Sequence, residues 1–294
     1  MRITITNQTR TFLENLNRLR TRQNQAQTEL TTGKRVNRLA DNPFAAAQAS
    51  RITSVMAEND QFIAINQQMR GKLETTDSVV QALIQNVDAA KSLAAQSLSG
   101  TTTPESRSAI ATAIEGVRQQ MLSAGNTQFD GNFLFSGTAT STQPFLDSGG
   151  TVTYQGNDEA VYQRLDRSVV VQTNLTGQDL FMDSPPVFQV LENLKTAIAN
   201  NDATAIRSGL SDLDTISNRM NSLAATVGNN IRLTDQLQNA LSTHNLSLQE
   251  HVSAMTDADL AKSISDLNLT TQAISAALGA QAQAHQFSLL DFLR

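Results

Sequence analysis

The chain of 294 residues carries a formal net charge of −5 and a pI near 5.2, which argues against a nucleic-acid partner, since that would want a basic face. It has no cysteine, so disulfide and thiol chemistry are excluded, and no run approaches the ~18 apolar residues that would span a membrane. Hydrophobic residues at 39% and aromatics at 4% are sparse for a deep globular core and favour long helices packed along thin seams.

The first ten residues hold no apolar signal-peptide core, which argues against the classical secretory route. From there the spacing predicts a long amphipathic helix. Phe12, Leu16, Leu19, Gln23, Ala26 and Leu30 step 4, 3, 4, 3, 4 and fall on one narrow stripe. Burying its large apolar side chains is worth about 10 kcal/mol. Ordering some thirty backbone residues costs on the order of 1–2 kcal/mol each, so this helix needs a partner.

Asn42-Pro43 reads as N-cap and first helical position of a second helix running to about Ser97, with Leu73, Val80, Leu83, Ile84 and Val87 inward. Thr103-Pro104 opens a third, with Ile110, Ile114, Val117 and Met121 inward. Residues ~129–182 then change character. Phe133-Leu134-Phe135, Val152-Thr153-Tyr154 and Val169-Val170-Val171, with turns at Gly149-Gly150 and Gly156-Asn157, predict a small β insertion. Ser184-Pro185 is expected to open the next helix, through Val190, Leu194 and Ile198. After the break at Asn200 to Asp202 a very long helix follows, with Leu213, Ile216, Met220, Leu223 and Val227 in 3,4 alternation and a phase shift expected at Ile231.

The C-terminal stripe is Leu260, Ile264, Leu267, Thr271, Ile274 and Leu278, with the same steps as the first. Residues 1–40 are net +6 and residues 250–294 net −3. Opposite charge favours pairing each terminal helix with the other over self-pairing, and because neither can bury its seam alone the ends are expected to pack with each other and with neighbouring copies. The fold class is therefore mainly α, an elongated rod of long helices with coiled-coil-like ends and a small β insertion domain in the middle. Three parts are expected: 1–45 with 255–294 as the terminal coiled coil, 46–128 with 183–254 as the helical rod, and 129–182 as a β-rich outer domain. The insertion is expected to be a knob that can be shortened without disturbing the rod; the competing reading is an aromatic anchor in which Phe133, Phe135, Phe145 and Phe181 pack onto the rod.

Candidates for chemistry are weak. Gly33-Lys34 lacks both the upstream glycine of a phosphate loop, having Thr28 there, and its magnesium-holding hydroxyl, having Arg35. His244 and His251 lie about 10 Å apart along a helix, too far to share a metal, and His285 stands alone. Ser136 lacks the flanking glycine of a nucleophile elbow, and Asp41, Asp257 and Asp259 read as helix-start acids. The expectation is no enzyme, no catalytic residue, no metal and no cofactor.

The run Leu30-Thr31-Thr32-Gly33-Lys34-Arg35-Val36-Asn37, followed by Ala40-Asp41-Asn42-Pro43 and an alanine-rich helix, resembles the start of flagellin-family proteins. Asp257-Ala258-Asp259-Leu260 through Ser288-Leu289-Leu290-Asp291-Phe292-Leu293-Arg294 resembles their end. Asp41-Asn42-Pro43 departs from flagellin itself. Phe133 to Thr138, Pro144-Phe145, Tyr154-Gln155-Gly156, Asn174, Gly177 and Phe181 are similar to the middle of the hook-associated branch, at the filament side of the hook–filament junction. This resemblance implies an adaptor that forms a homo-oligomeric ring, with the other junction protein on one side and flagellin on the other. It also implies flagellar type III export, an export chaperone on the C-terminal helix and an extracellular place on the flagellum. Seam residues are then Phe12, Leu16, Leu19, Ala26, Leu30, Leu260, Ile264, Leu267, Ile274 and Leu278, with Leu289, Leu290 and Leu293 added by the family's C-terminal motif. The nearest alternative is a short flagellin. A membrane-active coiled-coil secretion protein is the next, and the missing apolar segment counts against it.

Overall fold

The computed structural model describes residues 2–99 and 102–292, with side chains described at 7, 9–99 and 102–283. Six helices carry the chain: α1 (Arg2–Thr32), α2 (Pro43–Ser97), α3 (Pro104–Gly125), α4 (Val187–Ala199), α5 (Ala203–Thr256) and α6 (Leu260–Phe292). Between α3 and α4 lie six short strands and a π-helical turn at Gln178–Met182. The fold is mainly α with a small β insertion. It divides into two compact units, residues 1–58 with 243–294 and residues 59–242.

In the 59–242 unit the helix ends follow local chemistry. Thr103 is the N-cap of α3, its hydroxyl accepting from the Ser106 amide, with Pro104 in the first turn. Asp202 does the same for α5, its Oδ1 lying 3.0 Å from the amides of Thr204 and Ala205. α4 begins later than expected. The Ser184–Pro185 bond is cis, Pro186 occupies the N-cap and the helix starts at Val187.

The core of this unit is a set of heptad-spaced seams. Leu73, Val80, Leu83, Val87, Ala90 and Ala94 of α2 meet Ile110, Ile114, Val117 and Met121 of α3, Leu191, Leu194 and Ile198 of α4, and Ile206, Leu213, Ile216 and Met220 of α5. The phase shift expected at Ile231 does not occur. Leu213, Met220, Val227, Thr234 and Leu241 are all buried seven residues apart, and Ile231 is only half-buried. The buried Thr234 is tolerated because its hydroxyl donates to the Asn230 carbonyl at 2.8 Å.

The strands form three separate antiparallel hairpins: β1 (Gln128–Phe129) with β2 (Asn132–Phe133), β3 (Phe145–Ser148) with β4 (Thr151–Tyr154), and β5 (Tyr162–Arg164) with β6 (Val170–Gln172). Gly149 and Gly150 both take positive φ and close β3–β4. Two-stranded ribbons are marginal alone. These are held by the helices. The Asn126 side chain at the end of α3 both accepts from the Phe145 amide and donates to its carbonyl, each at 3.0 Å. Asn66 of α2 donates to the Leu165 carbonyl at 3.0 Å. Phe135, Phe145 and Phe181 are fully buried, and Phe145 lies 4.8 Å from Phe181, 5.2 Å from Tyr154 and 5.6 Å from Phe188 of α4 between ring centres. This packing runs against the expected detachable knob and matches the competing aromatic anchor, with Phe133 only half-buried.

A charge cluster fastens the same hairpin. Arg118 of α3 is 3% exposed and donates through Nη2 to Glu115 Oε1 and Asp147 Oδ2, both at 2.7 Å. Lys195 of α4 reaches Glu115 Oε2 at 3.0 Å. The Arg118 hydrogen bond holds the Glu115 carboxyl far below its ordinary range, at about 2. A carboxylate with a depressed folded pKa contributes stability that is complete above its unfolded pKa and is lost as pH falls toward the folded one. The melting temperature of the native chain should therefore fall between roughly pH 4.5 and 2 more steeply than that of Glu115→Gln, whose stability lacks this contribution at every pH. Parallel pH profiles of the two would show that the cluster does not couple to folding.

Candidate assembly surface

In the unit of residues 1–58 and 243–294, α1 and α6 pair antiparallel. Gln23 donates to Thr271 at 3.1 Å, and Glu29 accepts from Ser263 at 2.7 Å. At one end the two conspicuous sequence motifs meet. Gly33, at φ +70, ends α1, and Lys34 forms an isolated antiparallel bridge with Asp257. The Arg35 amide donates to the Thr256 carbonyl at 2.7 Å and the Ala258 amide to the Gly33 carbonyl at 2.9 Å. Asp41 accepts from the amides of Asn37 and Arg38, Asn42 caps α2 through the Ala45 amide, and Asp259 caps α6 through the Lys262 amide. Of the three acids read as helix-start residues only Asp259 caps a helix; Asp41 instead closes the loop at 37–41, and Asp257 follows the end of α5, where it accepts from the Thr256 hydroxyl. Among the described residues no group of three or more His, Cys, Asp or Glu is placed to hold a metal.

The α1 stripe faces its partner as spaced. Leu16 and Ala26 are buried, and Phe12, Leu19 and Leu30 are half-buried. The α6 stripe splits. Leu267 and Ile274 are half-buried, whereas Leu260, Ile264 and Leu278 are 48%, 51% and 46% exposed. The side that closes on α1 is instead centred on the buried Ser263 and Thr270, small residues that let two helices approach closely. Hydrophobic spacing could not reveal this, because the contact line is polar. Leu289, Leu290 and Leu293, and also His285, lie outside the residues whose side chains are described.

The result is a two-sided surface. At 100° per residue, Leu260, Ile264 and Leu278 fall within about 40° of one another and line one flank of the α1 contact as an apolar ridge interrupted by the exposed Thr271. Leu269, 60% exposed and about 180° from Leu260, stands on the other flank. There a groove of about 800 Å³ runs between α1 and α6, floored by Leu19, Ala26 and Ala273. Arg22, Arg35 and Lys262 alternate with Glu29, Asp257, Asp259 and Asp266 along its walls. A ridge on one flank and a groove on the other suit a second copy of the same unit, docking head to tail. Leu269 was absent from the sequence-derived seam, because it lies off the 3,4 stripe.

Residues 4–140 match the family model of the bacterial flagellin N-terminal helical region. The chain is 26% identical over 289 residues, 90% of each chain, to flagellar hook-associated protein 3 of Escherichia coli K12. It shares the fold of the FlgL structure from Bacillus cereus, with a TM-score of 0.62 at 23% identity, covering 69% of this chain and 99% of that one. The flagellar junction protein FlgL from Legionella pneumophila is similar too, with a TM-score of 0.60 at 14% identity, covering 73% of this chain and 100% of the other. The resemblance to flagellin-like, hook-associated proteins is thereby borne out.

Proposed function

We propose that this chain, a homologue of the proteins named flagellar hook-associated protein 3, is a structural adaptor at the hook–filament junction of the bacterial flagellum. Copies join into a ring through the α1–α6 units, the other junction protein lying on the hook side and flagellin on the filament side. Residues 1–45 with 255–294 serve as its inner tube, residues 46–128 with 183–254 as the surrounding layer, and residues 129–182 as the outer part. The chain reaches that place by flagellar type III export, with a chaperone on its C-terminal helix until assembly. Its part is mechanical and not catalytic.

The observation that carries this reading is the apolar ridge of Leu260, Ile264 and Leu278 standing in solvent opposite a groove on the same unit. Large apolar residues aligned along one helix face mark a surface that is covered in use. Because the chain has no cysteine, engineered cysteines test the idea cleanly. A chain carrying both Ile264→Cys and Leu269→Cys should cross-link into multimers in intact flagella, while either change alone leaves monomers. Gold label on the protein should mark the base of each filament. Label along whole filaments would instead make the chain a filament subunit, and dimers from Ile264→Cys alone would exclude head-to-tail docking.

A further inference from the structure

In the 59–242 unit, the buried and half-buried basic side chains fall into two groups. Lys91 pairs with Asp214 at 2.6 Å, Lys195 with Glu115 and Glu192, and Arg118 with Glu115 and Asp147. Arg107 donates to the Thr102 carbonyl and Arg219 to the carbonyls of Asp183 and Pro185. Lys72 of α2 is the exception among the described residues, since its ammonium has neither an acid nor a carbonyl partner. Burial alone pushes its pKa down, with no anion opposing the effect. A cation held partly out of water without a counter-charge is costly, and something that supplies the charge would relieve the cost.

Lys72 lines a cleft of about 310 Å³ between α2 and the β1–β2 hairpin. Its walls are apolar where Ile65, Met69, Phe129 and Phe133 converge, and Asp130 stands among them. The hairpin packs closely on α2 at Gly71. A Cβ there would already sit 3.5 Å from the Phe129 ring. The volume equals that of roughly ten water molecules and is at the small end of ligand sites.

We propose that this cleft binds a small amphipathic carboxylate, its apolar body between Met69 and the Phe129 and Phe133 rings and its carboxylate on the Lys72 ammonium. A single negative charge fits better than two. One lysine offers one positive charge, enough to balance one carboxylate and not a dianion. The proposal is independent of the assembly reading, since it concerns neither α1 nor α6.

The experiment is a calorimetric and NMR titration of the full chain with 3-phenylpropionate, its neutral amide and phenyl phosphate. The expected result is saturable one-to-one binding of the carboxylate with Kd around 1 mM, as befits a ligand of about eleven heavy atoms. The amide and the phosphate should bind about tenfold more weakly or worse. Lys72→Met should lose at least about tenfold in affinity while melting no lower than the native chain, since it removes an unpaired half-buried charge, and Lys72→Arg should retain binding. No saturation by about 20 mM, or equal affinity for carboxylate and amide, or full binding by a folded Lys72→Met chain, would each overturn the site.

Discussion

Replacing residues 133–181 by a short Gly/Ser linker should abolish cooperative folding of the 59–242 unit, so that the helical signal decays without a sharp melt. Loop excision is usually mild, because the removed residues take their own ordering entropy with them. Here the excised stretch also removes Leu134, Phe135, Phe145, Leu165, Val171, Leu175, Leu180 and Phe181, all buried. At ~1.5–3 kcal/mol each, their burial rivals the 5–15 kcal/mol that separates a typical domain from its unfolded state. The helices left behind would expose Phe188, Met69 and Leu73, now 4%, 9% and 3% exposed. A milder version is Phe145→Ala, expected to cost about 3–5 kcal/mol. Phe145 touches two other phenylalanine rings and Tyr154 and is tightly packed: at Gly125 a single added methyl would lie 2.9 Å from its ring. A linker variant that keeps a sharp melt well above room temperature would restore the reading of the insertion as a detachable knob.

The reason such a core escapes the sequence is visible in Phe145 itself. Its partners Phe181 and Phe188 stand 36 and 43 positions away, and no local period links them. What was legible is what short-range chemistry dictates. Thr103-Pro104 and Asn42-Pro43 start helices because a side-chain acceptor precedes a proline that needs no amide partner. The α2 and α5 seams show because Leu73 to Val87 and Leu213 to Val227 alternate by threes and fours with large apolar residues. The α1–α6 pairing was half legible. The α1 stripe points at α6 as spaced, whereas α6 turns Ser263 and Thr270 toward α1 and leaves part of its leucine and isoleucine stripe in water. Apolar spacing identifies which residues want cover. It does not say whether the same chain or another copy provides it. The Lys72 cleft carries no sequence signal at all, because it exists only where the Asp130-Gly131 turn folds a hairpin over α2.

That distinction between own-chain cover and neighbour cover gives the second large effect. Ile264→Asp should leave the free chain melting as before, because the side chain is 51% exposed and makes no core contact. In a ring the same carboxylate would be driven under the next copy, where an unpaired charge costs several kcal/mol at every joint. Since each copy uses the ridge once, the penalty recurs around the whole ring and assembly should fail, with flagellin lost to the medium and hooks left without filaments. Leu267→Asp separates the two kinds of cover. Leu267 is half-buried on the α1 side, so its charge should weaken the α1–α6 pair already in the free chain, read as faster proteolysis of residues 7–32. Gln272→Asp, an exposed position about 120° from Leu260 around the helix, adds the same charge off the ridge and should do neither. Swimming cells with normal filaments on Ile264→Asp would place the contact between copies somewhere other than this ridge.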